Sequence, residues 1–355
     1  MIFMDKKTLI LAIAPLILSL TACTPEVANT GDTGAKQATQ SRLDTIKSRG
    51  QLICGVSGEL PGFSFVGTDG KYSGLDVDVC RAIASALFDN PDAVEYRNLN
   101  AKERFTAVQT AEVDVLSRNT TYTLSRDTSV GLEFAPIIFY DGQGIMVRKS
   151  SGSKTLADLK DKAICTQTGT TNEQNLADQM RKRGIPYKPL VFEDVNTAYA
   201  TYAQGRCDAV TSDKSQLISR RSILPNPEDN VILDENLSSE PFAPAVADGD
   251  SKWANTVKWV VYSLIKAEEL GINSQNVAKF ANSNDPEIRR FLGTEGNLGQ
   301  GMGLPNDFAV RIIKHVGNYG EIYDRNLGAK TKLNFPRGQN QLWTKGGLLF
   351  SPPFR

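Results

Sequence analysis

Histidine is almost missing from this chain: His315 is the only one in 355 residues. A Ser-His-Asp set would have to draw on that single residue, which lies in a helical pattern near the tail. A metal centre is not expected either, because no CxxC pair accompanies the lone histidine. Net charge is missing too, with 40 Lys plus Arg against 40 Asp plus Glu, so the basic excess of a nucleic-acid binder is not there. There is no low-complexity tract and no internal repeat. The glycine-rich run GNLGQGMG (296–303) lacks a preceding strand pattern and a following GK[ST]; it reads as a loop between helices, not a nucleotide loop. No cofactor is implied by anything in the chain.

The N-terminus is informative. Lys6 and Lys7 precede TLILAIAPLILSL, an apolar run broken by Pro15 and shorter than the ~20 residues of a comfortable membrane span. It suits the apolar region of a secretory signal. It ends at Leu20-Thr21-Ala22-Cys23, small residues before a cysteine that resemble a bacterial lipobox. The reading is a lipoprotein signal over 1–22, lipidation of Cys23, and a flexible tether through residue 40 (TPEVANTGDTGAKQATQ). An ordinary signal with a chance cysteine and an uncleaved anchor are the alternatives. A lipid on Cys23 would hold a soluble body at a membrane in the periplasm or cell envelope.

Four cysteines then remain, Cys54, Cys80, Cys165 and Cys207. An even count in an exported chain suggests two disulfides. Three pairings are open, and four buried thiols are the other possibility. The division of the chain described next favours Cys54 with Cys80 and Cys165 with Cys207.

A chain of this length suggests two domains, or one with elaborations. After the tether, Ser41 can cap a short helix through Leu43 and Ile46 that stops at Gly50. LICGVS, VEYRNL and VDVLSRN read as strands. GLDVDVCRAIASALF carries Leu75, Val79, Ile83 and Leu87 on one helical face. Strand–helix alternation predicts a mainly parallel sheet covered by helices. YDGQGIMVRKS leaves this unit as an extended segment. The alternation then restarts with AICTQ, a helix holding Leu176 and Met180 inward, PLVFE, NTAYATYAQGR and CDAVTSD. PFAPAVADGD is a second extended crossing, and helices follow. Two crossings between two α/β units are the plan of a two-lobed, hinged protein. The expected lobes are 41–142 plus 245–355, and 143–244 inserted between them.

Ligands in open α/β sheets bind beyond the carboxyl ends of the strands. Three polar clusters fall at such ends. Asn119, Thr120 and Thr121 follow VDVLSR; Thr168 to Thr171 follow AICTQ; Ser212 and Asp213 end DAVTS. Each also reads as a turn or cap, and Thr170 with Glu173, or Thr171 with Gln174, has capping-box spacing. Together they suit a small zwitterion. Arg126 offers a planar fork for a carboxylate, although a surface pair with Asp127 would account for it equally. The start of the GTTNEQ helix offers backbone N–H groups to the same anion. Asp213 is a counter-charge for an ammonium, and the hydroxyls of Thr121 and Thr171 complete the hydrogen bonds.

Several long stretches carry a resemblance: ELPGFSF (59–65), YSGLDVDVCRAIA (72–84), AKERFTAVQTAEVDVLSRNTTYTLSRDTS (101–129), FYDGQGIMVRK (139–149), GTTNEQNLAD (169–178), GRCDAVTSDKS (205–215), EELGINSQNV (268–277), and the tail from EIRRFLG through LWTKGGLLFSPPFR. From about Leu43 onward the chain resembles the solute-binding proteins of polar amino-acid ABC transporters (bacterial extracellular solute-binding proteins, family 3). It is most similar to their general L-amino-acid-binding branch. The resemblance implies a type II periplasmic-binding-protein fold, with two mainly parallel α/β lobes on a two-strand hinge. It implies a monomer that hands an L-amino acid to membrane permease subunits.

Position by position, the resemblance puts Arg126 on the ligand α-carboxylate, with Thr121 and the Thr171 backbone. It puts the Asn119 carbonyl and Asp213 on the ammonium. Phe63 and Leu60 would line a stacking wall; Leu60 stands where many relatives place an aromatic, which weakens the case for a tight sandwich. Ser57 stands where selective relatives place a charge, so a permissive pocket is expected. Arg104 occupies a position where binders of acidic ligands use an arginine, and otherwise reads as a helix-surface residue. If it reaches the pocket, Glu, Gln, Asp or Asn side chains gain a partner.

Two rival classes share this fold. A dehydratase acting on amino-acid precursors would need an acid or base in the cleft, and Glu59 is the candidate; it also reads as a solvated loop carboxylate. A receptor presenting its closed form to a sensor kinase is the third reading.

Overall fold

The computed structural model describes residues 41–355. The expected signal, Cys23 and the tether lie outside them. Among the described residues, no helix is long and apolar enough to cross a membrane.

The helix Arg42–Arg49 starts as expected: the Ser41 side chain accepts from the Leu43 backbone N–H, and Gly50 ends the helix in the left-handed region. Its apolar face, Leu43 and Ile46, is fully buried. The strand Leu52–Val56 then runs between Val94–Asn98 and Val115–Leu116, parallel to both. Ala245–Ala247 and Leu132–Phe134 extend this sheet by antiparallel pairs. The helix Leu75–Phe88 covers it with Leu75, Val79 and Ile83 at 2 % exposure or less. Cys54 bonds to Cys80, tying that strand to that helix.

The second sheet repeats the plan. Lys188–Phe192, Ala163–Gln167 and Ala209–Asp213 form its parallel part. Phe139–Arg148 and Asn230–Ile232 add antiparallel strands. The helix Thr171–Lys182 packs Leu176 and Met180 beneath it, and Cys165 bonds to Cys207. Both expected disulfide pairings are present. Each sheet thus has a parallel heart edged by antiparallel strands, because the crossing segments must enter and leave it.

Those crossings are Phe139–Arg148 and Ser239–Phe242. They pair antiparallel, with Glu240 opposite Asp141. One continues into the second sheet, while the other leads to Ala245–Ala247 in the first. Phe139 and Phe242 stack at 5.8 Å, and Phe63 meets their edges at 5.1 and 6.2 Å. The long helix Ser251–Glu269 and the helices Phe308–Val316 and Tyr319–Asn326 share the main core with the helix Leu75–Phe88. The glycine-rich run holds a single helical turn, Leu298–Gly301, where a plain loop was expected. Its close packing explains the glycine: a Cβ on Gly299 would lie 2.4 Å from the Pro305 carbonyl oxygen.

Candidate ligand-binding site

The strand ends deliver their polar groups to one place. Asn119 and Thr121 follow the strand Val115–Leu116, and Asp213 ends Ala209–Asp213. Asn119 Nδ2 donates to Asp213 Oδ2 at 3.1 Å and to Gln216 Oε1 at 2.8 Å. From the other side, Asn172 Nδ2 donates to Asp213 Oδ1 at 2.9 Å. The two threonines of the GTTNEQ segment divide their labour. The Thr170 side chain caps the helix by accepting from Glu173 N. Thr171 sits one residue inside, and its hydroxyl turns toward Glu240. Gly169 makes the tight approach possible: its φ is +74°, and a Cβ there would lie 3.2 Å from the Ala101 carbonyl oxygen across the cleft.

Arg126 is 7 % exposed and makes no ion pair with Asp127 among the described residues. Its Nη1 donates to the Thr121 carbonyl at 2.8 Å, and its guanidinium lies 5.0 Å over the Phe105 ring. Arg104 is 3 % exposed, so it is not a helix-surface residue. Its Nη1 faces the Asn119 carbonyl at 3.4 Å and Thr120 Oγ1 at 3.2 Å. Arg118, which the sequence did not single out, is also buried and donates to the Leu99 carbonyl. None of the three has a carboxylate within ion-pair distance among the described residues.

Burying like charges together is costly, and the proton affinities register it. Burial, then Arg118 and Arg126, push the Arg104 guanidinium well below its usual range, against the pull of Asp213. Burial brings Arg118 down to about 10. Burial also lowers Arg126, with Glu240 and Asp213 opposing. The carboxylates move the other way. Burial, Asp141 and Glu240 push Asp213 up to about 7, although Asn172 and Asn119 donate to it. Burial raises Asp141 to about 6 despite bonds from Gly142 N and Ser215 N. Displaced affinities of both signs at one cleft are a physical ground for reading it as a candidate site.

The space left among Arg104, Asn119, Thr121, Thr171 and Asp213 is about 10 Å³. That is room for about one water, so a ligand enters only when the facing loops part. A second cavity of about 190 Å³ adjoins it through Arg118 and Gln167 and is lined by Ser57, Glu59, Asn98 and Asp194. Ser57 therefore faces this side cavity.

Leu60 and Phe63 line neither cavity. They are 2 % and 1 % exposed, inside the main core, where Phe63 packs on the crossing-strand phenylalanines. Edge-to-face packing outcompetes a stacking wall for that ring. Ser212 is buried in its strand opposite Gly144 and does not reach the central space. Glu59 accepts from Asn196 Nδ2 at 2.8 Å, a bridge between the two halves of the chain. His315 lines neither cavity and is bonded to Asp89 at 2.7 Å. Glu240, Asp141, Asn172 and Gln216 were missed. The only signal for the first two was that each is the one carboxylate of its strand, Asp141 in Phe139–Arg148 and Glu240 in Ser239–Phe242.

Comparison with known proteins agrees with this geometry. Residues 52–278 match the bacterial extracellular solute-binding proteins, family 3. The chain is 48 % identical over 324 residues to the general L-amino acid-binding periplasmic protein AapJ of Rhizobium johnstonii, covering 91 % of this chain and 95 % of that one. It is 47 % identical over 322 residues to the glutamate/glutamine/aspartate/asparagine-binding protein BztA of Rhodobacter capsulatus, covering 90 % and 95 %. A solved periplasmic binding protein of an ABC transporter from Brucella ovis, with glutathione bound, superposes with a TM-score of 0.87 at 48 % identity, over 89 % of this chain and all of that one. A shared family, a two-sheet hinged fold and a buried charged cleft agree, and the chain belongs to the bacterial extracellular solute-binding proteins, family 3.

Proposed function

We propose that this protein captures free L-amino acids by closing two lobes around them and delivers them to the permease of an ABC transporter. The observation that carries the reading is the set of buried arginines that, among the described residues, have no carboxylate in ion-pair contact and face buried carboxylates across one cleft. A zwitterion satisfies both at once. In this reading Arg126 and the Thr171 backbone hold the α-carboxylate, and Asp213 with the Asn119 carbonyl holds the ammonium. Thr121 assists Arg126 at the carboxylate, and Thr170 positions the helix start. Arg104 favours ligands with an acidic or amide side chain. Leu60 and Phe63 support the hinge side of the site from within the core.

The lobes are 41–142 plus 245–355, and 143–244, hinged at the paired crossings. No chemical step is required, and a monomer suffices. Lipidated Cys23, with residues 24–40 as tether, holds the protein at a membrane of the cell envelope. Cys23→Ala is expected to move the protein from the membrane fraction to the soluble fraction.

The side cavity favours a second ligand class. An amino acid whose side chain continues past Arg118 and Gln167 finds about 190 Å³ there. The Brucella ovis relative holds glutathione, which carries a free amino-acid head on an extended side chain.

The test is a calorimetric titration of residues 41–355 with the free L-amino acids, glutathione, and forms blocked at the amine or the carboxylate. Saturable binding of several free forms, lost on blocking either end, is expected. Binding that survives blocking both ends contradicts the zwitterion clamp.

A further inference from the structure

Glu240 lies on the crossing strand Ser239–Phe242 and is 1 % exposed. Its carboxylate collects donors from both halves of the molecule. Thr121 Oγ1 donates to Oε2 at 2.5 Å, and Thr171 Oγ1 donates to the same oxygen at 2.7 Å. Asn175 Nδ2 donates to Oε1 at 2.8 Å, and the Ser238 hydroxyl joins it there. Asp141 faces it from the paired strand, and Arg126 and Asp213 lie close enough to feel its charge.

A hydroxyl has one proton, and an ionised carboxylate has none to give. The 2.5 and 2.7 Å contacts are in the range of O–H···O⁻ bonds. The two threonine oxygens are 3.4 Å from each other, a far longer and weaker contact than either makes to Glu240. Both threonine protons therefore point at Glu240, and toward the cleft each oxygen offers lone pairs only.

We infer that Glu240 sets the polarity of the site: it turns Thr121 and Thr171 into acceptors, so their side chains select the ligand ammonium and leave the carboxylate to Arg126 and backbone N–H. This deepens the amino-acid reading above and rests on it. It also revises one expectation, because the Thr121 hydroxyl then cannot donate to the carboxylate. Glu240 touches no ligand atom in this scheme; it is a positioning residue.

Glu240→Gln tests it by inversion. Asn175 and Ser238 keep the amide oxygen on their side, which turns the amide N–H groups toward Thr121 and Thr171. Their protons then face the cleft. The readout is a ratio of dissociation constants, measured for the tightest-binding free L-amino acid and its 2-hydroxy analogue (L-glutamate with L-2-hydroxyglutarate, L-alanine with L-lactate). The wild type is expected to prefer the amino acid strongly, and the variant to shrink that preference by about tenfold or more. Thr121→Val, which deletes one acceptor without touching Glu240, is expected to shrink it in the same direction and serves if the glutamine variant does not fold. Equal weakening of both ligands in either variant, with the ratio kept, assigns these residues a merely structural role and overturns the inference. A wild-type chain that binds no free amino acid fails the underlying reading instead, and this inference with it.

Discussion

Arg104, Arg118 and Arg126 bring three guanidinium groups to positions at most 7 % exposed, and among the described residues none is neutralised by a contacting carboxylate. An anion placed among them gains more than it would at the surface, where ion pairs contribute little. Arg126→Lys keeps the charge and removes the fork, so affinity is expected to fall by about 2 kcal/mol or more in calorimetry, while thermal stability holds. Asp213 makes binding depend on pH. Its native proton affinity is about 7, against an ordinary 3.8, so the native protein keeps a proton that the unfolded chain releases above pH 3.8. Stability without ligand therefore falls as pH rises from about 4 to 7. An ammonium needs the ionised form, so affinity is expected to rise over that window and level off above it. Near pH 6, binding should release up to about one proton, read from calorimetry in buffers of different ionisation heat. Arg126, Asp213, Thr121 and Thr171 were legible because they stand in polar runs at strand ends. Glu240 was not: its donors come from segments 2 to 119 residues away, and one carboxylate has no period.

Two adjacent threonines show how an element sorts roles that sequence leaves ambiguous. Both had capping spacing. The backbone chose Thr170, whose extended φ and ψ turn its hydroxyl onto Glu173 N, and freed Thr171 for the cleft. Thr170→Ala is expected to cost about 1 kcal/mol of stability in thermal unfolding. Thr171→Ala takes a donor from the buried Glu240 carboxylate, so it is expected to cost about 1.5 kcal/mol or more of stability and, unlike Thr170→Ala, to weaken ligand binding as well. The long helices were legible because Leu75, Val79 and Ile83, or Leu176 and Met180, repeat on one face. The turn Leu298–Gly301 was not, because four glycine-rich residues carry neither period nor cap. Nor was the role of the tail. Asn340 accepts from Tyr140 N at 2.6 Å and donates to the Tyr140 carbonyl at 3.1 Å, bracing the crossing strand from its free edge.

At the scale of the molecule, contacts away from the cleft also hold the two halves together. Arg220 Nη1 donates to the Glu59 carbonyl at 2.9 Å, and Ser219 Oγ donates to the Pro61 carbonyl at 2.6 Å. These bonds form only when the lobes meet, so they add to the closed population without reading the ligand. Arg220→Ala is expected to weaken the small free amino acids by one common factor, since it changes the competent fraction and leaves the clamp residues in place. The alternating strands and two crossings made the two-lobed plan legible. The antiparallel edges were not, because the partners of Phe139–Arg148 lie far away in sequence, as far as Phe242 from Phe139. The direct test is the distance between a label on each lobe, followed through an amino-acid titration. The distance should shorten, with the same midpoint as the calorimetric binding curve. A distance that stays fixed while the ligand saturates would contradict capture by closure.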